Sequence, residues 1–133
     1  MKVLLDTHVL IWFRACPERL GKATLKLLGA SETEVAISVV SSLEVAQLVS
    51  KGKVSLPCDV SAWMTEGWRI FSCEETPITT KICDEAYRLP GEFHADPADR
   101  LLVATARVHR WSIVTADRRI LDYRHVTAIP AEQ

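Results

Sequence analysis

Cysteine pairs and long apolar runs are both missing from this sequence. It contains four cysteines, Cys16, Cys58, Cys73 and Cys83. They form no CxxC pair and no zinc-type spacing with the four histidines, so we expect reduced thiols in a cytoplasmic protein rather than a disulfide framework or a zinc site. No stretch approaches the ~20 apolar residues of a membrane span. Asp6 and His8 interrupt the apolar amino terminus before it reaches the length of a signal peptide.

An excess of charge of one sign is absent as well. The formal charge is −1 at pH 7, which argues against a polybasic nucleic-acid binder. Low-complexity runs, linkers and internal repeats are also missing. With 133 residues, 48% of them hydrophobic, the chain has the size and apolar content of one domain, and we expect a single domain over residues 1–133.

What the sequence does contain is an alternation of short apolar runs with helical patterns. Apolar runs rich in β-branched residues, typical of buried parallel strands, occupy residues 3–5, 35–40 and 113–114. Helical patterns cover residues 9–15, 17–28, 43–50, 59–64, 77–88 and 96–109, and residues 126–129 fit an edge strand. Strand followed by helix predicts a layered α/β fold with a parallel sheet.

A carboxylate lies at the edge of a predicted strand or helix in four separated segments. Asp6 and Asp117 follow predicted strands, while Glu44 and Asp99 fall in the first turn of predicted helices. In a parallel sheet these positions meet at one edge, so all four side chains can face one crevice. Close carboxylates repel one another by roughly 4 kcal/mol per pair at an effective dielectric near 20. Because a divalent cation removes that repulsion, the pattern indicates a site for Mg²⁺ or Mn²⁺.

The remaining charges favour an acidic pocket on a mildly basic body. Setting aside four of the 17 acidic residues leaves 13 against 16 Lys and Arg, so the rest of the surface carries +3. That distribution suits a phosphate-bearing substrate bridged by metal. The alternative is ordinary surface charge with no pocket.

Each of these carboxylates also has a purely structural interpretation. Ser41-x-x-Glu44 fits a capping box, in which Glu44 satisfies a backbone donor. Asp96-Pro97-x-Asp99 fits a helix start, and we assign Asp96 to the cap and Asp99 to the site. An Asp after a strand can be a turn residue. The joint occurrence of four acids at matching edges therefore carries the interpretation.

Four sequence blocks follow one another over nearly the whole chain. They are Leu5-Asp6-Thr7-His8, the Ser-x-x-Glu44 helix start, His94-x-Asp96-Pro97-x-Asp99-Arg100-Leu101-Leu102 with Ala104-x-Ala106, and Val114-Thr115-x-Asp117. In order and spacing they resemble the blocks of the PIN-domain ribonucleases and, within them, the VapC-type toxins of bacterial toxin–antitoxin pairs. The Asp-Pro-x-Asp-Arg block is the most specific, and the Glu44 block is the least. The resemblance implies a three-layer α/β/α sandwich with a central parallel sheet.

The resemblance also implies an activity. Similar enzymes are Mg²⁺- or Mn²⁺-dependent endoribonucleases that use a metal-activated water and leave a 5′ phosphate and a 3′ hydroxyl. By position, the catalytic acids and metal ligands would be Asp6, Glu44, Asp99 and Asp117. Thr7 and Thr115 would assist through their hydroxyls or through bound water. Glu44 can bind a second metal or act as the base toward the attacking water, and the sequence leaves both open.

Several arginines lie next to the candidate acids. Arg100 follows Asp99, and Arg118-Arg119 follow Asp117, so we expect these guanidinium groups to grip flanking phosphates. Farther along the same helix, Arg107 and Arg110 fit a solvated helix face. We favour structural roles for two histidines, His8 and His94.

The aromatic residues are expected to lie mostly in the core. They are Trp12, Phe13, Trp63, Trp68 and Phe71. Trp12 and Phe13 are adjacent on one predicted helix and cannot both face the same way. VapC-like proteins typically form homodimers and offer a hydrophobic groove to a cognate antitoxin, so the resemblance makes these two residues candidates for that surface.

Other classes of protein remain as alternatives to an RNA-cleaving toxin. A haloacid-dehalogenase-like phosphatase needs Asp-x-Asp after its first strand, and here His8 stands at the second position. A non-catalytic binding module of the same fold is possible, although a scaffold would gain stability by losing a repulsive acidic cluster. A DNA-directed nuclease of the same fold would use the same acids. The small size of the chain favours RNA.

Overall fold

Five short strands form one fully parallel sheet in the computed structural model, which describes residues 1–133. The strands are β1 (Lys2–Leu5), β2 (Glu34–Ser38), β3 (Glu75–Thr76), β4 (Ser112–Thr115) and β5 (Ala128–Pro130). Their order in the sheet is β3-β2-β1-β4-β5. Parallel neighbours need long crossover connections, and helices supply most of them. The helices are α1 (Thr7–Ala15), α2 (Lys22–Gly29), α3 (Val39–Ser50), α4 (Val60–Ile70), α5 (Thr80–Ala86), α6 (Pro97–His109) and α7 (Arg118–Leu121).

The alternation of side chains along the strands divides the core into two layers. Val3 and Leu5 of β1 point to one face, where they join apolar residues of α1, α2 and α4. Leu4 points to the other face and packs with α6 and α7. Helices therefore cover both faces of the sheet, and the predicted α/β/α sandwich is confirmed.

Helix α6 lies against the sheet and carries the most specific sequence block. Leu102, Val103 and Ala106 are fully buried against the strands, while Ala104 packs toward α5. The helix begins at Pro97, as the Asp-Pro pair predicts. It is capped at its carboxyl end by Arg110, which adopts a left-handed conformation with φ of 60°. None of the helices combines the length and the apolar character that crossing a bilayer requires.

The helix predicted over residues 17–28 is interrupted in the structure. Pro17–Arg19 form a single 3₁₀ turn, and α2 begins only at Lys22. Between them the chain is extended at Gly21, whose N–H donates to Ala131 O at 3.0 Å. A side chain at Gly21 would collide with the backbone of Gln133. The interruption thus comes from the docked carboxyl terminus, a long-range contact that local periodicity does not reveal.

The boundary between β2 and α3 is the other main correction. The apolar run at residues 35–40 predicts one strand, but β2 ends at Ser38 and α3 begins at Val39. Ser38 is the cap, with its hydroxyl accepting from Val40 N at 3.0 Å. The capping box predicted from Ser41 to Glu44 is therefore wrong, and Glu44 lies in the second turn of the helix.

Three smaller boundary shifts have local causes. The helix capped by Asp59 runs on to Ile70 instead of ending near residue 64. In the segment at residues 77–88, Thr79 caps a helix that covers only Thr80–Ala86. The edge strand predicted at residues 126–129 is Ala128–Pro130.

The aromatic residues divide between core and site. Trp63 is buried, and the rings of Phe13 and Phe71 lie 4.9 Å apart. The indole N–H of Trp68 donates to Ile37 O at 3.2 Å. Trp12 and Phe13 both pack against the same core cluster, but the Trp12 ring lies beside Arg19, whose guanidinium is 4.1 Å from the ring centroid. The two adjacent aromatics thus face different surroundings, as expected.

Candidate functional site

Asp6 lies at the carboxyl end of β1, and both of its carboxylate oxygens accept hydrogen bonds. Its backbone N–H donates to Val114 O at 2.9 Å, which continues the pairing of β1 with β4. Its Oδ1 accepts from Thr7 N at 2.8 Å, so Asp6 is the cap of α1. The Thr115 hydroxyl donates to Oδ2 at 2.6 Å. The neighbouring strand therefore orients a buried carboxylate toward the sheet edge.

Glu44 reaches the same edge from α3 through Thr7. The Thr7 hydroxyl donates to Glu44 Oε1 at 2.5 Å and lies 3.0 Å from the Ser41 hydroxyl. Helical side chains lean toward the amino end of their helix, which lets Glu44 reach the sheet edge from the second turn. The prediction that Glu44 lies in the first turn is wrong, yet its carboxylate still arrives at the site.

Asp99 enters from the first turn of α6 and is almost completely buried. His94 Nε2 lies 3.0 Å from Asp99 Oδ2. The geometry is not that of a hydrogen bond, so this buried nitrogen has no partner in the protein. Burial, together with the charge of Arg119, lowers the pKa of His94. The lowered pKa favours the neutral form of the imidazole, whose Nδ1 lies 3.4 Å from the backbone N of Asp96.

Asp117 lies at the carboxyl end of β4 and caps α7. Its Oδ1 accepts from Arg119 N at 2.9 Å, and its Oδ2 accepts from the Arg119 guanidinium at 2.9 Å. The same guanidinium lies 3.5 Å from Asp99 Oδ2. The hydrogen bonds from Arg119 lower the pKa of Asp117, which keeps this carboxylate charged.

One cavity of about 330 Å³ brings these side chains together. Its lining includes all four predicted acids, Asp6, Glu44, Asp99 and Asp117, together with His8, Trp12, Asp96, Ala116 and Arg119. Asp99 occupies the centre, because its oxygens belong to two groups whose ligand atoms all lie within 4.8 Å of one another. One group is His94, Asp99 and Asp117, and the other is Glu44, Asp96 and Asp99. Asp6 belongs to neither of these groups but lines the same cavity.

The electrostatics of the cavity are those of crowded carboxylates. Burial raises the pKa of Asp99 to about 8, with further contributions from the charges of Asp6, Asp96, Asp117 and Glu44. Burial also raises the pKa of Asp6 and of Glu44. In each case the hydrogen bond from a threonine hydroxyl lowers the pKa and offsets part of this effect. Without a cation, the protein relieves the repulsion by holding a proton on Asp99.

The predicted phosphate contacts of Arg100 and Arg118 stay predictions, and the structure places the two side chains in different surroundings. The Arg100 guanidinium donates to Ala86 O, Phe93 O and His94 O at 2.8 to 2.9 Å, so it fastens the loop before α6. Arg118 is exposed, and it does not line the cavity. Arg119, the other member of the pair, is the arginine that enters the site.

Asp96 and His94 are the residues whose placement the sequence analysis missed. Asp96 occupies the cap position of α6, but its side chain makes no capping hydrogen bond and lines the cavity instead. The predicted capping role of its side chain is therefore wrong. The signal for both residues was present, since they belong to the same block as Asp99. An Asp that precedes Pro at the start of a helix is commonly a cap, and this common role concealed the signal.

Comparison with known proteins agrees with this geometry. The PIN domain family matches residues 3–126. Ribonuclease VapC22 of Mycobacterium tuberculosis is 37% identical over 123 residues, which cover 92% of each chain.

Solved structures share the fold at lower identity. VapBC2 from Rickettsia felis, bound to a DNA fragment from its promoter, superposes with a TM-score of 0.68 at 18% identity, over 97% of this chain and 98% of that one. FitAcB from Neisseria gonorrhoeae gives 0.67 at 21% identity over 97% of each chain. VapBC-5 of M. tuberculosis, from the VapBC family of toxin–antitoxin systems, gives 0.61 at 22% identity over 96% and 97%. Fold, sequence blocks and acidic cavity agree, and the chain belongs to the PIN-domain family, in its VapC branch.

Proposed function

We propose that this protein is a metal-dependent endoribonuclease that acts as the toxin of a toxin–antitoxin pair. The observation that carries the proposal is the acidic cavity at the carboxyl edge of the sheet, in a chain 37% identical to a VapC ribonuclease. Five carboxylates line that cavity, including Asp96, and two of them, Asp6 and Asp117, also cap helices. The mutual repulsion of five acids in one cavity opposes folding unless a cation offsets it.

The donor set fits Mg²⁺ or Mn²⁺. Hard carboxylate oxygens are the ligands that both ions prefer. Burial, together with the charges of the neighbouring acids, raises the pKa of Asp99 at the centre of the cavity, and a bound cation would offset both effects. We assign Asp6, Asp99 and Asp117 as ligands, with Glu44 as either a further ligand or the base. A bound ion would supply a water of lowered pKa and offset charge on the phosphate.

The side chains of this protein have distinct tasks in the proposed reaction. The Thr115 hydroxyl fixes the direction of the Asp6 carboxylate, and the Thr7 hydroxyl does the same for Glu44. Arg119 contacts Asp117 and Asp99 and is exposed on its outer side, so its guanidinium can turn to a phosphate oxygen of the substrate.

Glu44 is placed to receive the proton of the attacking water. Burial raises the pKa of its carboxyl group, which brings its basicity closer to the pH at which it would work. The hydrogen bond from Thr7 occupies only Oε1, which leaves Oε2 for the water. The same oxygen would serve if Glu44 were instead a ligand of a second ion.

We extend the proposal to partners and location. Solved neighbours of the same fold are VapBC complexes, so we assign a cognate antitoxin to this chain as well. Trp12 lines the cavity, and Phe13 lies beside it in sequence on α1. Together they form the surface that we propose for the antitoxin segment. We also propose a cytoplasmic homodimer of one-domain chains.

Paired expression of variants tests the ribonuclease. Wild type, Asp99→Asn and the control Glu74→Gln, which changes an exposed acid outside the acidic cavity, are induced in a bacterial host, and RNA ends are mapped. Growth arrest and discrete cuts with 5′ phosphate ends are expected for wild type and for the control only. With purified protein, a chelator abolishes cleavage and added Mg²⁺ or Mn²⁺ restores it.

Two outcomes contradict the proposal. Arrest that persists in Asp99→Asn would mean that the chain acts as a binding module without catalysis. Cleavage of single-stranded DNA at a rate equal to that of RNA of the same sequence would assign it to the DNA-directed nucleases.

A further inference from the structure

We infer that a basic groove running from the acidic cavity along α6 binds the substrate RNA several nucleotides away from the cut. This inference rests on the proposed function and names a second part of the substrate site. The groove is a chain of cavities on the side of the molecule formed by α6, the loop before it and the loop between α7 and β5.

The cavities adjoin one another, because neighbours share lining residues. The acidic cavity shares Arg119 with the next two cavities along the groove. Those two also share Gly91 and Glu92. The last cavity, of about 500 Å³, is reached through Arg124 and His125, which line it as well. A strand leaving the acidic cavity past Arg119 can therefore follow one path to the far end.

The far cavity, which we call the arginine cavity, has three guanidinium groups. It is lined by Arg107, Arg110, Arg124, His125, Trp111 and four small or polar neighbours. Arg107 is held in place, since it donates to Glu85 Oε1 at 3.0 Å and to His125 O at 2.5 Å. Arg110 and Arg124 are exposed and make neither an ion pair nor a side-chain hydrogen bond. Arg107 and Arg110 are therefore more than the solvated helix face that the sequence predicts.

The two unpaired arginines are positioned by backbone features. Arg110 adopts a left-handed conformation with φ of 60°, which is unfavourable for a residue other than Gly. Arg107 fastens the loop that carries Arg124, through the carbonyl of the next residue. Two cations aimed at one cavity without an internal counterion favour a phosphate-bearing ligand.

Aromatic rings accompany the basic residues along the groove. The rings of Phe93 and Tyr123 lie 5.0 Å apart, and those of Tyr123 and His125 lie 5.4 Å apart. Trp111 lines the arginine cavity and stacks on His109 with a centroid distance of 4.1 Å. Tyr123 is buried beneath the groove, and His109 and Lys2 lie against the Trp111 ring, so the groove offers a single strand phosphate contacts more than base stacking.

The length of the groove sets the number of nucleotides. Asp99 and Arg110 are eleven positions apart along α6 and its cap, which is about 16 Å at the helical rise of ~1.5 Å per residue. At a stacked rise of ~3.4 Å per nucleotide this distance spans about five nucleotides. A stacked RNA shorter than that does not reach from the acidic cavity to the arginine cavity.

Binding measurements with RNA of two lengths test the inference. The probes are random-sequence single-stranded RNA pools of 16 and of 4 nucleotides, with affinity followed by fluorescence anisotropy. All proteins carry Asp99→Asn to prevent cleavage. The test variant is Arg110→Ala with Arg124→Ala. The matched control is Lys51→Ala with Lys53→Ala, which removes two exposed charges beyond the end of α3. The charge-retaining Arg110→Lys with Arg124→Lys checks that the loop is intact.

The expected result depends on RNA length. The arginine-to-alanine variant binds the 16-nucleotide pool about tenfold more weakly at low salt. In a plot of the logarithm of the binding constant against the logarithm of the salt concentration, its slope is smaller in magnitude by about 1.4, since each phosphate contact on a single strand contributes ~0.7. Its affinity for the 4-nucleotide pool is unchanged, and the lysine versions keep most of the binding. Equal losses on both pools, or a loss no larger than in the lysine control, would overturn the inference. Cleavage by the protein without Asp99→Asn is assayed in parallel, so a failure of the ribonuclease proposal itself is seen separately.

Discussion

Replacing Asp99 with Asn is expected to stabilise the metal-free protein while it abolishes RNA cleavage. The Asp99 carboxyl group is almost completely buried, and its pKa is raised from 3.8 to about 8. Each pKa unit corresponds to about 1.4 kcal/mol, so keeping the proton on Asp99 at pH 7 lowers the free energy of unfolding by up to about 4 kcal/mol. Asn removes this penalty because it is neutral in both the folded and the unfolded chain.

The sign of the pH dependence follows from the raised pKa. Below pH 3.8 the carboxyl group is protonated in both states, and its contribution to stability is fully present. Between pH 3.8 and about 8 only the unfolded chain has lost the proton, so wild-type stability falls as the pH rises through this window. The advantage of Asp99→Asn over wild type should therefore grow from pH 5 to pH 8.

Thermal unfolding in the presence of a chelator measures the effect. At pH 7 we expect Asp99→Asn to melt up to about 10 °C above wild type, at ~3 °C per kcal/mol for a chain of this length. The control Glu74→Gln, at an exposed position outside the acidic cavity, should melt close to wild type. Saturating Mg²⁺ or Mn²⁺ should raise the melting temperature of wild type and reverse the order. If the two proteins melt at the same temperature at pH 8, or if the difference between their melting temperatures does not change with pH, the burial of the Asp99 carboxyl group does not cost the stability that we assign to it.

Three further predictions concern the residues around the acids. Thr115→Val removes the hydroxyl that donates to Asp6 Oδ2, so Mn²⁺ affinity, measured by titration calorimetry, should fall about tenfold. The control Thr105→Val, a buried change on α6 away from the site, should leave this affinity unchanged. Arg100→Lys loses the hydrogen bonds to three carbonyls that hold the loop before α6. The free energy of unfolding, measured in urea, should therefore fall by about 2 kcal/mol. The same change at the exposed Arg88 should have no measurable effect. Because Asp99 must lose its proton to bind a cation, Mn²⁺ affinity should rise between pH 6 and pH 8, and a flat profile would count against Asp99 as a ligand.

Much of the fold could be predicted from sequence because local signals agree with the tertiary structure. The apolar runs locate β1, β2 and β4, and the Asp96-Pro97 pair locates the start of α6. The sequence blocks also indicate the family that the profile match and the VapC22 relative then confirm. Metal binding and catalysis by the four acids stay predictions that the experiments above will test.

Other features depend on contacts between residues far apart in the chain. The break before α2 comes from the carboxyl terminus packed against Gly21. Arg100 and Arg119 are alike in sequence, each lying within two residues of a candidate acid, yet one binds backbone carbonyls and the other enters the cavity. Which of two similar side chains meets an acid is decided by the packing of the loops, and no local pattern contains that information.

The sequence by itself determined that Asp6, Asp99 and Asp117 lie at the carboxyl edge of a parallel sheet, because the strand ends and the Asp-Pro helix start beside them are set by neighbouring residues. Only the tertiary structure decided how the acids there are supported. The Thr7 hydroxyl that holds Glu44 and the Thr115 hydroxyl that holds Asp6 act across 37 and 109 residues of sequence. Such bonds exist only after the apolar faces of the helices have packed on the sheet, since packing fixes the distances between elements that the chain itself leaves free.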